Sequence, residues 1–128
     1  MLTMREEIVK CASEFLSTAN QGGIEKPGGA LAAGAAAALI CNLSLLGRDF
    51  SKLGDVLVDN CFDARVSAAK ATKKILTGGG ALSVEEKSIV GAALKSALLE
   101  EMRRSLPHPP TMRRLARSLL EVGGGELG

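Results

Sequence analysis

Residues 28–47 read GGALAAGAAAALICNLSLLG. The run carries no charged side chain, and Ala, Leu and Gly dominate it. Alanine is the strongest helix former, so a helix is expected from about Ala30 to Leu46. Its surface is small-residue on all sides, which lets neighbouring backbones approach closely. Such a helix belongs at the centre of a bundle or at a subunit interface. A bilayer span needs roughly 20 apolar residues, about the length of this run. Alanine is nearly neutral on insertion scales, however, and Asn42 and Ser44 interrupt the segment. The reading is a buried helix and no membrane span.

The flanking chain reads as further helices punctuated by glycine and proline. Leu2 to Ala19 repeats Ile8, Ala12, Phe15, Leu16 and Ala19 at spacings of three and four. Thr3 and Glu6 have the form of a capping box at its start, and Gln21-Gly22-Gly23 ends it. After Gly47, a third helix is expected from Asp49 or Ser51 to about Leu76. Leu53, Leu57, Cys61, Ala64, Ala68, Ala71 and Ile75 form its buried stripe. Ser83 and Glu86 form a second capping box, opening a fourth helix. Its apolar face is Ile89, Val90, Ala93, Leu94, Ala97, Leu98 and Met102. Pro107, Pro109 and Pro110 stop that helix, and a short fifth follows from about Thr111 to Val122. No segment alternates as a strand does. The expected fold is all-α: a bundle of four principal helices plus a short C-terminal helix, over residues 1–122. A flexible Gly-rich tail, 123–128, follows.

Composition narrows the function classes. The 128 residues carry 16 Lys plus Arg against 14 Asp plus Glu, a net charge of +2. The hydrophobic fraction of 46% excludes a mainly disordered chain, whose burial could not offset chain entropy. Aromatic residues are 2%, too few for a base-stacking platform, and nucleic acid is not the expected partner. Cys11, Cys41 and Cys61 are widely spaced, with no metal-ligand pattern. They read as reduced, buried thiols in a cytoplasmic protein, and no signal peptide is expected at the start.

Several residues could carry chemistry. Lys26-Pro27-Gly28-Gly29 precedes the Ala-rich helix, where free backbone N–H groups bind anions; the plain alternative is a helix start with room for close packing. Asp55, Asp59 and Asp63 are spaced four apart and would share one face of a continuous third helix. Buried, such a face could supply a general acid or base; solvated, it is only an acidic stripe. Asn42 sits in an apolar helix and needs a hydrogen-bond partner, from backbone or ligand. Arg48 would bind a carboxylate or cap carbonyls. His108, among prolines, reads as a solvent-exposed loop residue without a catalytic role. Arg103, Arg104, Arg113, Arg114 and Arg117 cluster near Glu100, Glu101 and Glu121 and read as a solvated face or subunit contact.

The order of these motifs is familiar. Pro27-Gly28-Gly29, an Ala/Gly helix, and then Asn42-Leu43-Ser44-Leu45-Leu46-Gly47-Arg48 resemble the start of the formiminotetrahydrofolate cyclodeaminase and methenyltetrahydrofolate cyclohydrolase family. Leu57-Val58-Asp59, Phe62-Asp63-Ala64 and Ala68-Ala69-Lys70 resemble its acidic segment, and Gly91 to Leu99 its late Ala-rich helix. Ala30 and Leu31 stand where the family has glycine and serine, and the long helical stretch before the late helix is largely missing. Roughly half of the chain takes part, and Ala and Gly dominate the motifs. The resemblance implies an all-helical homodimer acting on or binding a tetrahydrofolate derivative as substrate, with no bound cofactor and no metal. The reaction would be methenyl hydrolysis or formimino cyclisation. It implies Asp59 and Asp63 as catalytic acid and base, and Gly28, Gly29, Asn42, Arg48 and Lys70 as substrate-binding residues; Lys26, beside the glycine turn, would add charge to the same site. The alternative reading is a non-enzymatic helical oligomerisation or interaction module that buries Ala30 to Leu46 in a symmetric assembly.

Overall fold

The computed structural model describes residues 3–20, 29–78 and 82–123. Every regular element among them is helical. The order is α1 Met4–Asn20, α2 Gly29–Gly47, α3 Leu53–Leu57, α4 Phe62–Thr77, α5 Val84–Arg103 and α6 Pro109–Gly123. Four of these, α1, α2, α5 and α6, match expected segments to within about two residues. No helix among the described residues is long and apolar enough to cross a membrane.

The third helix corrects the sequence reading. Its apolar stripe does run on, and Leu53, Leu57, Cys61, Ala64 and Ala68 are all buried. The backbone does not run on: α3 ends at Leu57 and α4 starts at Phe62. Asp59 Oδ1 accepts the Cys61 N–H at 2.9 Å, a local turn that competes with helix. The carbonyls exposed by the break find cationic donors. Arg65 donates to Asp59 O at 2.9 Å and Asn60 O at 3.1 Å, and Arg104 donates to Val58 O at 3.0 Å.

The helices pack in the succession α1–α2–α4–α6–α5, and α3 touches α2, α4 and α5. The α2–α4 contact is the most extensive. Ala33, Ala37 and Cys41 of α2 and Ala64, Ala68, Ala69 and Thr72 of α4 are all buried. Small side chains on both sides allow this close approach. Burial in that seam pushes the Cys41 thiol up to about 12. At the other edge, α2 is the one described helix that α1 rests on.

Helix ends follow local chemistry. Ser83 Oγ accepts the Glu86 N–H at 3.1 Å and Glu86 Oε1 accepts the Ser83 N–H at 2.9 Å, so the capping box is complete. The C-terminus of α2 is less expected. Arg48, not Gly47, takes the left-handed conformation, with φ 57°, while the Asp49 N–H bonds back to Ser44 O at 3.0 Å. That is the Schellman arrangement with arginine in the position where glycine is usual. Gly47 is small for another reason: a Cβ there would lie 2.6 Å from Arg5 Cδ of α1.

Ser83→Ala is expected to lower stability by about 1 kcal/mol, read by urea denaturation. The Ser83 N–H, with help from Arg48, holds the Glu86 carboxyl below its usual 4.5. A depressed carboxylate stabilises the fold above its unfolded pKa and loses that contribution as pH falls through the folded value. The capping box therefore weakens below pH 4.5, and an unchanged urea midpoint for Ser83→Ala at neutral pH would remove it from the account of α5.

Candidate functional site: the outer face of α2

The buried face of α2 carries Ala33, Ala37, Ile40, Cys41, Ser44 and Leu45. Its opposite side carries Ala32, Ala35, Leu39, Asn42 and Leu46 at spacings of three, four, three and four. That is the repeat of a coiled-coil seam. Ala32, Ala35, Leu39 and Leu46 are exposed, Leu46 to 69%, and Asn42 is half-buried.

A groove flanks this ridge on each side. The first, of about 620 Å³, lies against α1. Met4, Ile8, Cys11 and Phe15, spaced four, three and four, form its α1 wall; Met4 is 78% exposed, and Cys11 is exposed as well, unlike the buried Cys41 and Cys61, which corrects its reading as a buried thiol. The sequence reading placed Ile8 and Phe15 in the core with Ala12 and Leu16. Of these four only Ala12 and Leu16 are buried, because α2 is the one neighbour of α1 among the described helices. The second groove, of about 720 Å³, lies against α4. Ala38, Leu46, Ala71 and Ile75 give it apolar walls, and Asn42, Ser67, Lys70 and Lys74 give it polar groups.

This second groove gathers two of the expected substrate-binding residues, Asn42 and Lys70. Arg48 stands apart from it, ion-paired with Glu86 at the start of α5. Gly29 is the first residue of α2, and Lys26 and Gly28 lie outside the described residues. The three aspartates do not share a helical face, since the break divides them. Asp55 is in α3, Asp59 in the connection and Asp63 in the first turn of α4. Asp55 and Asp63 are exposed and Asp59 is half-buried. Asp55 and Asp59 line a pocket of about 320 Å³ with Ser13, Ser17 and Lys52, and Asp63 is not among its walls.

Sequence reasoning missed the main polar cluster of the interior. Glu101 is 2% exposed and its Oε1 lies 3.2 Å from Arg65 Nε and 3.7 Å from Arg104 Nε. Its Oε2 accepts the His108 N–H at 3.1 Å, which fixes the turn into α6. His108 is half-buried, which corrects its reading as a solvent-exposed residue. Its ring meets Phe62 edge-on at 4.9 Å between centroids, and its Nδ1 lies 2.7 Å from Thr111 Oγ1. A signal existed: Glu101 continues the buried stripe Val90, Leu94, Ala97 at the next helical interval. Of the other arginines, Arg103 pairs with Glu100 and Arg117 with Glu121 along their own helices. Exposed pairs of this kind contribute little.

Among the described residues no group of His, Cys, Asp and Glu is placed to hold a metal ion. No family model, curated protein or solved structure matches this chain.

Proposed function

We propose that this chain is a helical assembly module that associates with its own copies through the outer face of α2. The observation that carries the reading is the exposed coiled-coil repeat on α2, bordered by the matching apolar repeat on α1. A contiguous apolar surface of this kind marks an interaction site in a folded chain. Leu39 and Leu46 would sit at the centre, with Met4 and Phe15 beside them. Sedimentation equilibrium tests it. The wild type is expected to form a dimer. Leu39→Lys is expected to weaken it about 30-fold or more, the equivalent of about 2 kcal/mol for a central contact. A wild type that stays monomeric at high micromolar concentration overturns the reading.

One observation favours a second reading, that suggested by the cyclodeaminase and cyclohydrolase resemblance. Asn42 and Lys70 line one groove together with Lys74. Its apolar walls suit a flat ring system, and its lysines suit the carboxylates of a tetrahydrofolate derivative. Asp59 and Asp63, the acid and base that the resemblance implies, are not among the walls of this groove, so in that reading the groove is a binding site. Calorimetric titration with a tetrahydrofolate analogue separates the two. Saturable binding that Lys70→Ala weakens supports the folate site, and heat-silent titration of a folded oligomer removes it. The three free thiols accord with a cytoplasmic setting under either reading.

A further inference from the structure

We infer that the association is a parallel twofold: two α2 ridges pack along the axis, Asn42 meets Asn42 of the second copy, and Glu7 of one copy reaches Lys74 of the other. This rests on the self-association reading and adds its geometry. The argument begins with the order of helices across the face. α2 lies between α1 and α4, which do not touch each other. α1 runs antiparallel to α2, since Arg5 packs at Gly47. α4 runs parallel to α2, since Gly34 meets Ser67 early in both and Leu46 and Gly78 share the far end of one groove.

Two twofold axes can bring such faces together. An axis across the helices lays α4 on α4 and sets Lys70 and Lys74 against their own copies. An axis along the helices lays α1 of one copy over α4 of the other. The first arrangement places like charges together, and the second places opposite ones. Glu7 is exposed and lines the α1 groove, whereas Lys70 and Lys74 are exposed and line the α4 groove. The cations Arg5 and Lys10 of α1 line a different pocket, with Asp49 and Lys52. The contacts above bring Glu7 level with Lys74 to within about one helical turn of 5.4 Å.

The ridge itself selects the same arrangement. Asn42 is its one polar residue among Ala32, Ala35, Leu39 and Leu46. About an axis along the helices each ridge residue faces its own copy, so the two amides can bond to each other. A single asparagine in an apolar seam sets register and partner number in this way, at some loss of affinity.

Disulfide trapping of Leu46→Cys in a Cys11→Ser background tests the geometry, with sedimentation run on the same sample. The introduced thiols are expected to link rapidly across the axis under mild oxidation. A dimer in which they fail to link overturns the parallel arrangement and leaves self-association standing. A wild-type monomer overturns both. Charge exchange gives the second readout. Lys74→Glu is expected to weaken the dimer about fivefold, and adding Glu7→Lys to restore it. A double variant no tighter than the single one removes the Glu7–Lys74 contact from the interface.

Discussion

Glu101→Ala is expected to cost about 3–5 kcal/mol of stability, because it leaves buried positive charge without its counter-ion. A domain of this size has about 5–15 kcal/mol in total, so the loss is a large share of its stability. The side chain joins three parts of the molecule: Arg65 of α4, Arg104 at the end of its own helix, and the His108 N–H at the entry to α6. Removing it should therefore loosen α6 and α4 together. Urea denaturation followed by circular dichroism reads the loss. A change under about 1 kcal/mol would mean that water or a shifted side chain replaces the carboxylate.

Companion variants separate charge from shape. Glu101→Gln keeps an oxygen for the His108 N–H but removes the charge, so it should fall between wild type and Glu101→Ala. Replacing both partners by apolar residues, as in Glu101→Leu with Arg65→Met, is often neutral for a buried pair. Here it should not be. Arg65 also donates to the carbonyls of Asp59 and Asn60, and the apolar pair leaves those acceptors unsatisfied at the α3–α4 break. The double variant should recover part of the loss only.

The same break explains what could and could not be read from the sequence. Helix existence was legible because apolar spacing, capping boxes and Gly or Pro stops are local signals. The Ser83 box is complete in the structure for that reason. The division between α3 and α4 was not legible, because the apolar stripe passes through it unbroken. What favours the turn is a pair of guanidinium groups, one of them from Arg104, 46 residues away from Val58. The expected aspartate face was lost with that helix. Asn42 and Lys70 were brought together, because the parallel packing of α2 on α4 places them at one groove. The exposed ridge went unread for a different reason. An Ala-rich helix looks apolar on every side, and only the packing of its neighbours decides which stripe is left uncovered.

Gly34 tests that packing from the buried side. A Cβ built there lies 2.7 Å from Ser67 Oγ and 3.5 Å from the Asp63 carbonyl oxygen. Gly34→Ala presses on a hydroxyl that can rotate away, and alanine regains about 1 kcal/mol of helix propensity. That variant should be close to neutral. Gly34→Leu has no such escape, since its longer side chain meets the α4 backbone between Ala33 and Ala37, which are themselves fully buried. It should cost about 3 kcal/mol by forcing the two helices apart. A thermal shift of roughly 10 °C would report it. Ser67→Ala separates the two obstacles. It should relieve whatever strain Gly34→Ala shows and leave Gly34→Leu almost as unstable, because the second obstacle is backbone. If Gly34→Leu melts with the wild type, the α2–α4 seam is looser than its small residues imply.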